Sequence, residues 1–340
     1  MKAIIMAGGE GSRLRPLTCD CPKPMMRLMD RPVMEYALKL LKKHGIREAA
    51  VTLGYLPDAI VDFFGDGSEW GLTLRYYTER VPLGTAGGVR QAADFLNETF
   101  CVLSGDGVTD LDLTAALRFH RERGALATMV LTRVANPLEY GVVVTGPDGR
   151  VRSFQEKPGP GEVISDTINT GIYILEPEIL DRVPDGKPCD FGSELFPKLV
   201  EEGERVFGCV LEGYWCDIGD VPAYLRAHFD LLDGRLKLDV PTGVQRGALV
   251  DEDARIERPL ELFLIASGAG RIAQHPRIAI ELGRHARLDV VLRCLDAAEA
   301  EGWLNVVVDV VQGEGSHLSV QRLQEHGAGF HHTSLLTAEV

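Results

Sequence analysis

The chain has 340 residues, 45% of them hydrophobic, and carries 50 acidic against 36 basic side chains for a net charge of -14. That size and apolar content suit two globular domains, and the acidic balance argues against nucleic acid or a membrane surface held by charge, since both are polyanionic. No cationic start leads into an apolar h-region and seven cysteines form no zinc-like double pair, so a cytoplasmic protein with reduced thiols is expected.

In chain order, "KAIIM" (2–6) reads as a buried parallel strand, short and continuously apolar. The loop after it, "MAGGEGSRLRPLTCDCPKPM" (6–25), combines glycines with cations, the chemistry that cradles a phosphate chain. It is neither of the two familiar phosphate loops. After Gly9 and Gly11 the third dinucleotide position is Leu14, and Gly11 is followed by Ser12 and Arg13 where a Walker loop has Lys and then Ser or Thr. Cys19 and Cys21 lack further metal ligands nearby and read as loop residues.

A helix follows with Asp30 as N-cap, Pro32 in its first turn, Val33, Ala37, Leu40 and Leu41 on one face, and Gly45 at its end. "AAVTL" (49–53) and "FCVLS" (100–104) are two more buried strands, and helices are expected near 57–65, 85–96 and 112–123. Alternation of this kind predicts an α/β, Rossmann-like sheet, mixed but mainly parallel, with its ligand site at the carboxyl ends of the strands. Asp106 in "GDG" (105–107) falls at such an end, and Asp217 in "GYWCDIGD" (213–220) precedes a helix starting near Asp220. One or two such carboxylates suit a magnesium ion bridging phosphates; each also suits a turn or a cap.

The opening loop, "PLGTAG" (82–87), "SGD" (104–106), "EYGVV" (139–143), "FQEKP" (154–158), "NTGIY" (169–173) and "GYWCDIG" (213–219) together resemble the sugar-1-phosphate nucleotidyltransferases over residues 1–235. The branch they are most similar to is mannose-1-phosphate guanylyltransferase, through "FGDGSEWG" (64–71) and "SDTINTGIYILEPE" (165–178). The resemblance implies transfer of a nucleotidyl group from a nucleoside triphosphate, best GTP, to a sugar-1-phosphate, best mannose-1-phosphate, with Mg²⁺ as cofactor. It assigns catalysis to Arg13 and Lys23 and metal binding to Asp106 and Asp217. The nucleotide falls to Gly8, Gly9, Gly11, Ser12, Gly84, Thr85 and Gly87, where Ser12 replaces the family's usual Thr and Gly84 and Gly87 leave room for a flat base. The sugar phosphate falls to Gly141, Glu156, Lys157, Asn169 and Gly171. Tyr140 and Trp215 read as packing residues. A regulatory relative without turnover would have lost part of the Arg13, Lys23, Asp106 and Asp217 set, and all four are present.

From 236 to 340 a short β-solenoid is expected. Val244, Val250, Ile256 and Leu262 recur every six residues, with Ala248, Ala254 and Leu260 between them, a hexapeptide-like start over 243–262. "RIAIELGRHARLDV" (277–290) then aligns with "VVDVVQGEGSHLSV" (307–320) at an offset of thirty, which pairs Ile278 with Val308, Gly283 with Gly313 and Leu288 with Leu318. From about residue 256 this stretch resembles the β-solenoid core of the SufB/SufD scaffolds. A short stack exposes an open end, so assembly into a homo-oligomer through the solenoid is expected.

Overall fold

The computed structural model describes the chain except residues 16, 29–30, 135, 157–158, 160–164, 233, 238–248, 251–252, 257–258, 267–270, 275, 297–300, 326–329 and 340. It divides into two compact units, Met1–Leu238 and Asp239–Val340.

The first unit is built on a mixed sheet. Thr73–Thr78, Glu48–Leu53, Lys2–Ala7 and Phe100–Ser104 lie side by side and parallel. Thr167–Leu175 then runs antiparallel to Phe100–Ser104 and begins the other half, with Ala127–Arg133, Val206–Val210, Gly141–Thr145 and Val151–Glu156 beyond it. Successive strand side chains point to opposite faces, and both faces are covered: Ile4 and Val102 enter one apolar layer, Ile5 and Leu103 the other. This is why these strands read as unbroken apolar runs.

Helices Pro57–Phe64 and Leu113–Arg123 fall where the sequence puts them. The Asp112 carboxylate caps the second by accepting from the N–H groups of Thr114 and Ala115. Two expectations change. The first helix spans Val33–Lys43, and Pro32 precedes it in a short strand, Arg31–Pro32, paired with Arg27–Leu28; Asp30 lies outside the described residues. The helix expected over 85–96 spans Gly84–Gln91, after which turns carry the chain on.

In the second unit the offset of thirty is the register between coils. Ile278 pairs with Val308, Ile280 with Val310, Leu288 with Leu318 and Leu260 with Val290, all in parallel. Leu282, Leu288, Val290, Leu292, Val306, Val308 and Val310 fill the space between the two sheets. At the corner, the Gly313 N–H donates to Leu282 O at 2.8 Å, and a side chain there would stand 2.7 Å from the Arg284 amide nitrogen. Glycine thus lets one corner stack on the next. The six-residue spacing fares less well: Ile256, which it places inward, is 42% exposed, and Val244 and Ala248 lie outside the described residues.

Inside the first unit, His120 is buried between Thr128 Oγ1 at 2.9 Å and Glu176 Oε1 at 3.1 Å. Burial lowers its pKa from the ordinary 6.5, Arg121 and Arg205 add to this, and Glu176 opposes it without prevailing. The unfolded chain therefore takes up a proton first as pH falls, so this contribution to stability is complete above pH 6.5 and is lost below it, by up to about 1.4 kcal/mol per pH unit. Thermal melting from pH 7.5 to 5 should fall more steeply in the wild type than in His120→Gln; parallel curves would show that His120 does not contribute.

Candidate active site

The parallel strands deliver three loops to one rim. The first follows Lys2–Ala7 and curls at Gly11, whose φ of 63° is left-handed. Thr18, fully buried, donates from Oγ1 to Gly11 O at 2.8 Å, and a side chain at Gly11 would stand 3.3 Å from Lys23 Cβ. The curl thus seats the Lys23 stem and aims its ammonium inward. The second loop follows Phe100–Ser104, where the Gly105 N–H donates to Met6 O at 2.8 Å and Asp106 comes next. The third follows Thr73–Thr78 and carries Glu79.

Asp217 arrives from the far end of the unit's sequence. Trp215–Asp217 pairs antiparallel with Gly107–Thr109, which sets Asp217 opposite Gly107, and the Ile218 N–H donates to Asp106 O at 3.2 Å. Lys23 Nζ donates to Asp106 Oδ2 and lies 3.5 Å from Asp217 Oδ1, while the Ser104 hydroxyl donates to Asp106 Oδ1. Burial pushes Asp106 up, but the charge and hydrogen bonds of Lys23 and the Ser104 bond hold it below the usual carboxylate range. Asp217 is raised, by burial and by the Asp106 charge, more than Lys23 and Arg13 draw it back. One cation thus serves two carboxylates and does not fully satisfy the second. That donor set fits a divalent ion, which takes one or two carboxylates and completes its shell with water and phosphate oxygens. Among the described residues no group of three or more His, Cys, Asp or Glu side chains could hold a metal alone.

The carboxylates open into a cavity of about 320 Å³. Of the residues the sequence singled out, Arg13, Lys23, Thr85, Asp106, Gly141, Asn169, Gly171 and Asp217 line it. Asn169 and Gly171 do so because the Thr167–Leu175 strand bulges between Asn169 and Ile172, which turns this stretch toward the cavity. Arg13 packs over Gly219: a methyl group there would stand 3.1 Å from its guanidinium and 3.0 Å from Asp217 Oδ2.

Gly8, Gly9, Gly11, Ser12, Gly84 and Gly87 are not among the lining residues. Gly9 has open space around it, whereas Gly84 and Gly87 face residues 187–189, and a side chain at Gly84 would stand 2.6 Å from Cys189 O. The N–H groups of Ala86 and Gly87 both donate to Cys189 O. The room these two glycines leave is thus taken by the chain itself, not by an open base pocket. Glu156 ends its strand opposite Gly141, and Lys157 lies outside the described residues. Tyr140 and Trp215 pack edge to face at 5.4 Å and 71°, and both also line the cavity.

Sequence reasoning passed over Asp190, Glu79 and Arg226. Asp190 reads as a helix cap, and it is one: Oδ1 accepts from the N–H groups of Gly192 and Ser193, and the Glu194 carboxylate accepts the Asp190 N–H. Its Oδ2 also accepts from Thr85 Oγ1 at 2.7 Å, and Thr85 Oγ1 accepts from the Phe191 N–H at 2.9 Å, a clasp that ties the "PLGTAG" loop to the opposite wall. Glu79 Oε2 accepts from the Leu83 N–H at 3.0 Å, while side chains at Gly8 and Gly88 would stand 3.3 and 2.5 Å from Oε1. Burial raises Glu79, partly offset by the Leu83 bond. Arg226 lies three residues beyond the buried Ala223 on the helix Val221–Leu232 and lines the cavity with it. No helix among the described residues is long and apolar enough to cross a membrane.

A sequence profile described as nucleotidyl transferase matches residues 2–234. The chain is 40% identical over 283 residues to a UTP–glucose-1-phosphate uridylyltransferase of Synechocystis sp., across 76% of this chain and 73% of that one. It is 35% identical over 289 residues to mannose-1-phosphate guanylyltransferase of Mycobacterium tuberculosis, across 84% and 78%. Among solved structures, HddC from Yersinia pseudotuberculosis superposes with a TM-score of 0.60 at 26% identity, over 68% of this chain and 99% of that one.

Lys23→Met leaves Asp106 and Asp217 facing each other, so millimolar Mg²⁺ should raise the melting temperature of the variant by about 2–4 °C more than that of the wild type, a shift worth roughly 1 kcal/mol. Equal shifts in scanning calorimetry would show that the carboxylates do not share a cation site.

Proposed function

The chain belongs to the nucleotidyl transferase family, and on that premise we propose that it transfers a guanylyl group from GTP to mannose-1-phosphate and releases pyrophosphate. The observation that carries the transfer is the convergence of Asp106 and Asp217 on Lys23 in the cavity that Arg13 also lines. The acceptor phosphate oxygen attacks the α-phosphorus in line; the new P–O bond forms as the bridging bond to the β-phosphate breaks. Both reactants are anions, and two unit charges about 4 Å apart repel by roughly 4 kcal/mol at an effective dielectric near 20. Positioning and charge neutralisation are therefore the main tasks of the protein.

Arg13 grips phosphate oxygens with its planar fork, and Lys23 follows the charge as a point cation. Backbone N–H groups around Gly8, Gly9 and Gly11, with Ser12, are assigned to the triphosphate. Asp106 and Asp217 would hold Mg²⁺, whose chemistry there is to draw charge from the phosphate oxygens. Gly141, Asn169, Gly171, Glu156 and Lys157 serve the hexose and its phosphate.

Glu79 supports guanine as the base. Guanine presents two adjacent donors, N1–H and the 2-amino group, which one carboxylate accepts together; uracil and thymine present a single N–H flanked by carbonyls, which a carboxylate repels. The name of the Mycobacterium relative supports mannose, and that of the Synechocystis relative makes UTP with glucose-1-phosphate the competing pair.

Pyrophosphate release over four nucleoside triphosphates and several sugar-1-phosphates should be fastest with GTP and mannose-1-phosphate; preference for UTP and glucose-1-phosphate would reverse the substrate assignment. Glu79→Gln should lower kcat/KM for GTP by about 10- to 100-fold and narrow its lead over UTP. Asp106→Asn and Asp217→Asn should each cut turnover at least about 100-fold at saturating magnesium, and near-normal turnover in either would remove it from the metal site.

A further inference from the structure

We infer that Arg226 is a further cation that, together with Lys157, receives the phosphate of the sugar-1-phosphate, an assignment that rests on the transferase reading above. Three cations line the reaction cavity among the described residues: Arg13, Lys23 and Arg226. Lys23 is held by Asp106 and Asp217, and Arg13 packs beside Asp217 over Gly219. Among the described residues no ion pair involves Arg226. Asp230, one turn further along the same helix, accepts instead from Tyr214 Oη at 3.0 Å and from Arg235 at 2.9 Å. Asp220, at the start of the helix, accepts the Ala223 N–H at 2.8 Å.

The placement of Arg226 suits a second anion. It lines the reaction cavity and also an adjoining pocket of about 490 Å³, and the Tyr140–Trp215 pair borders both. The small Ala223, one turn before Arg226, lines the same cavity. The helix begins just after Asp217, so Arg226 is carried by the element that follows a proposed metal carboxylate. An acceptor phosphate brought against a triphosphate needs its own countercharge, since a cation already engaged by two carboxylates has less to offer it. A guanidinium with no ion pair among the described residues, and with two parallel donors, matches that group.

The test uses the full chain with Arg226→Gln and Arg226→Lys; the site is exposed on a helix and tolerates both side chains. KM for the sugar-1-phosphate should rise at least about tenfold in Arg226→Gln and by less in Arg226→Lys, which keeps the charge but loses the fork, while KM for the nucleotide stays within about twofold. Inorganic phosphate should compete with the sugar-1-phosphate in the wild type and lose about as much affinity in Arg226→Gln. An unchanged sugar-1-phosphate KM, or an equal rise in both KM values, overturns the assignment while wild-type turnover leaves the transferase reading standing. A wild type that releases no pyrophosphate from any pair overturns that reading and this assignment with it.

Discussion

The first unit is organised around a shortage of positive charge. Asp106 and Asp217 share one ammonium group, and the second of them stays raised because burial and its neighbour together outweigh what Lys23 and Arg13 supply. A partly buried pair of carboxylates is costly unless paired, and the chain around them is arranged to keep Lys23 in place. Thr18 is buried to hold Gly11, Gly11 curls to admit the Lys23 stem, and Ser104 supplies a further donor to Asp106. The same shortage gives the site its chemistry, because a cavity that wants cations accepts a metal together with the phosphates that come with it.

Close backbone approach is the second constraint. Gly219 is bare because Arg13 and Asp217 occupy the space a side chain would need, and Gly84 because the carbonyl of Cys189 does. The clasp between Thr85 and Asp190 joins a loop from the parallel half of the sheet to a helix start from the other half. In the second unit the constraint is repetition: each coil buries its apolar side against the next in a register of thirty residues, and Gly313 permits the corners to nest.

Much of this is legible in the residues. Short apolar runs announce buried strands because both faces of the sheet are covered, and the thirty-residue repeat announces the register because parallel coils place equivalent side chains one above the other. The strand ends locate Gly8 to Lys23 and Asp106 by topology alone, since ligands bind at the carboxyl ends of parallel strands. Local signals mislead where a longer-range partner competes. Pro32 looks like a first-turn residue but pairs with Arg27 as a short strand, and Ile256 fits a six-residue period but faces outward.

What the sequence by itself determined is the first strands and helices, the cationic loop and, through the resemblance, the two carboxylates as one metal pair, because apolar periodicity, glycine and charge act over a few residues. The tertiary structure supplied the strand pairing that brings Asp217 against Asp106, and it alone decided that Asp190 and Thr85 close the same wall, that Glu79 packs against Gly8 and Gly88, and that Arg226 lines the cavity. Asp190, Glu79 and Arg226 carry no local signal of a site, since nothing within a few residues of any of them records what lies opposite. Their roles depend on which strands pair across the sheet and where a bulge turns a chain. Those choices are made by the packing of the whole apolar core, not by any local stretch of it.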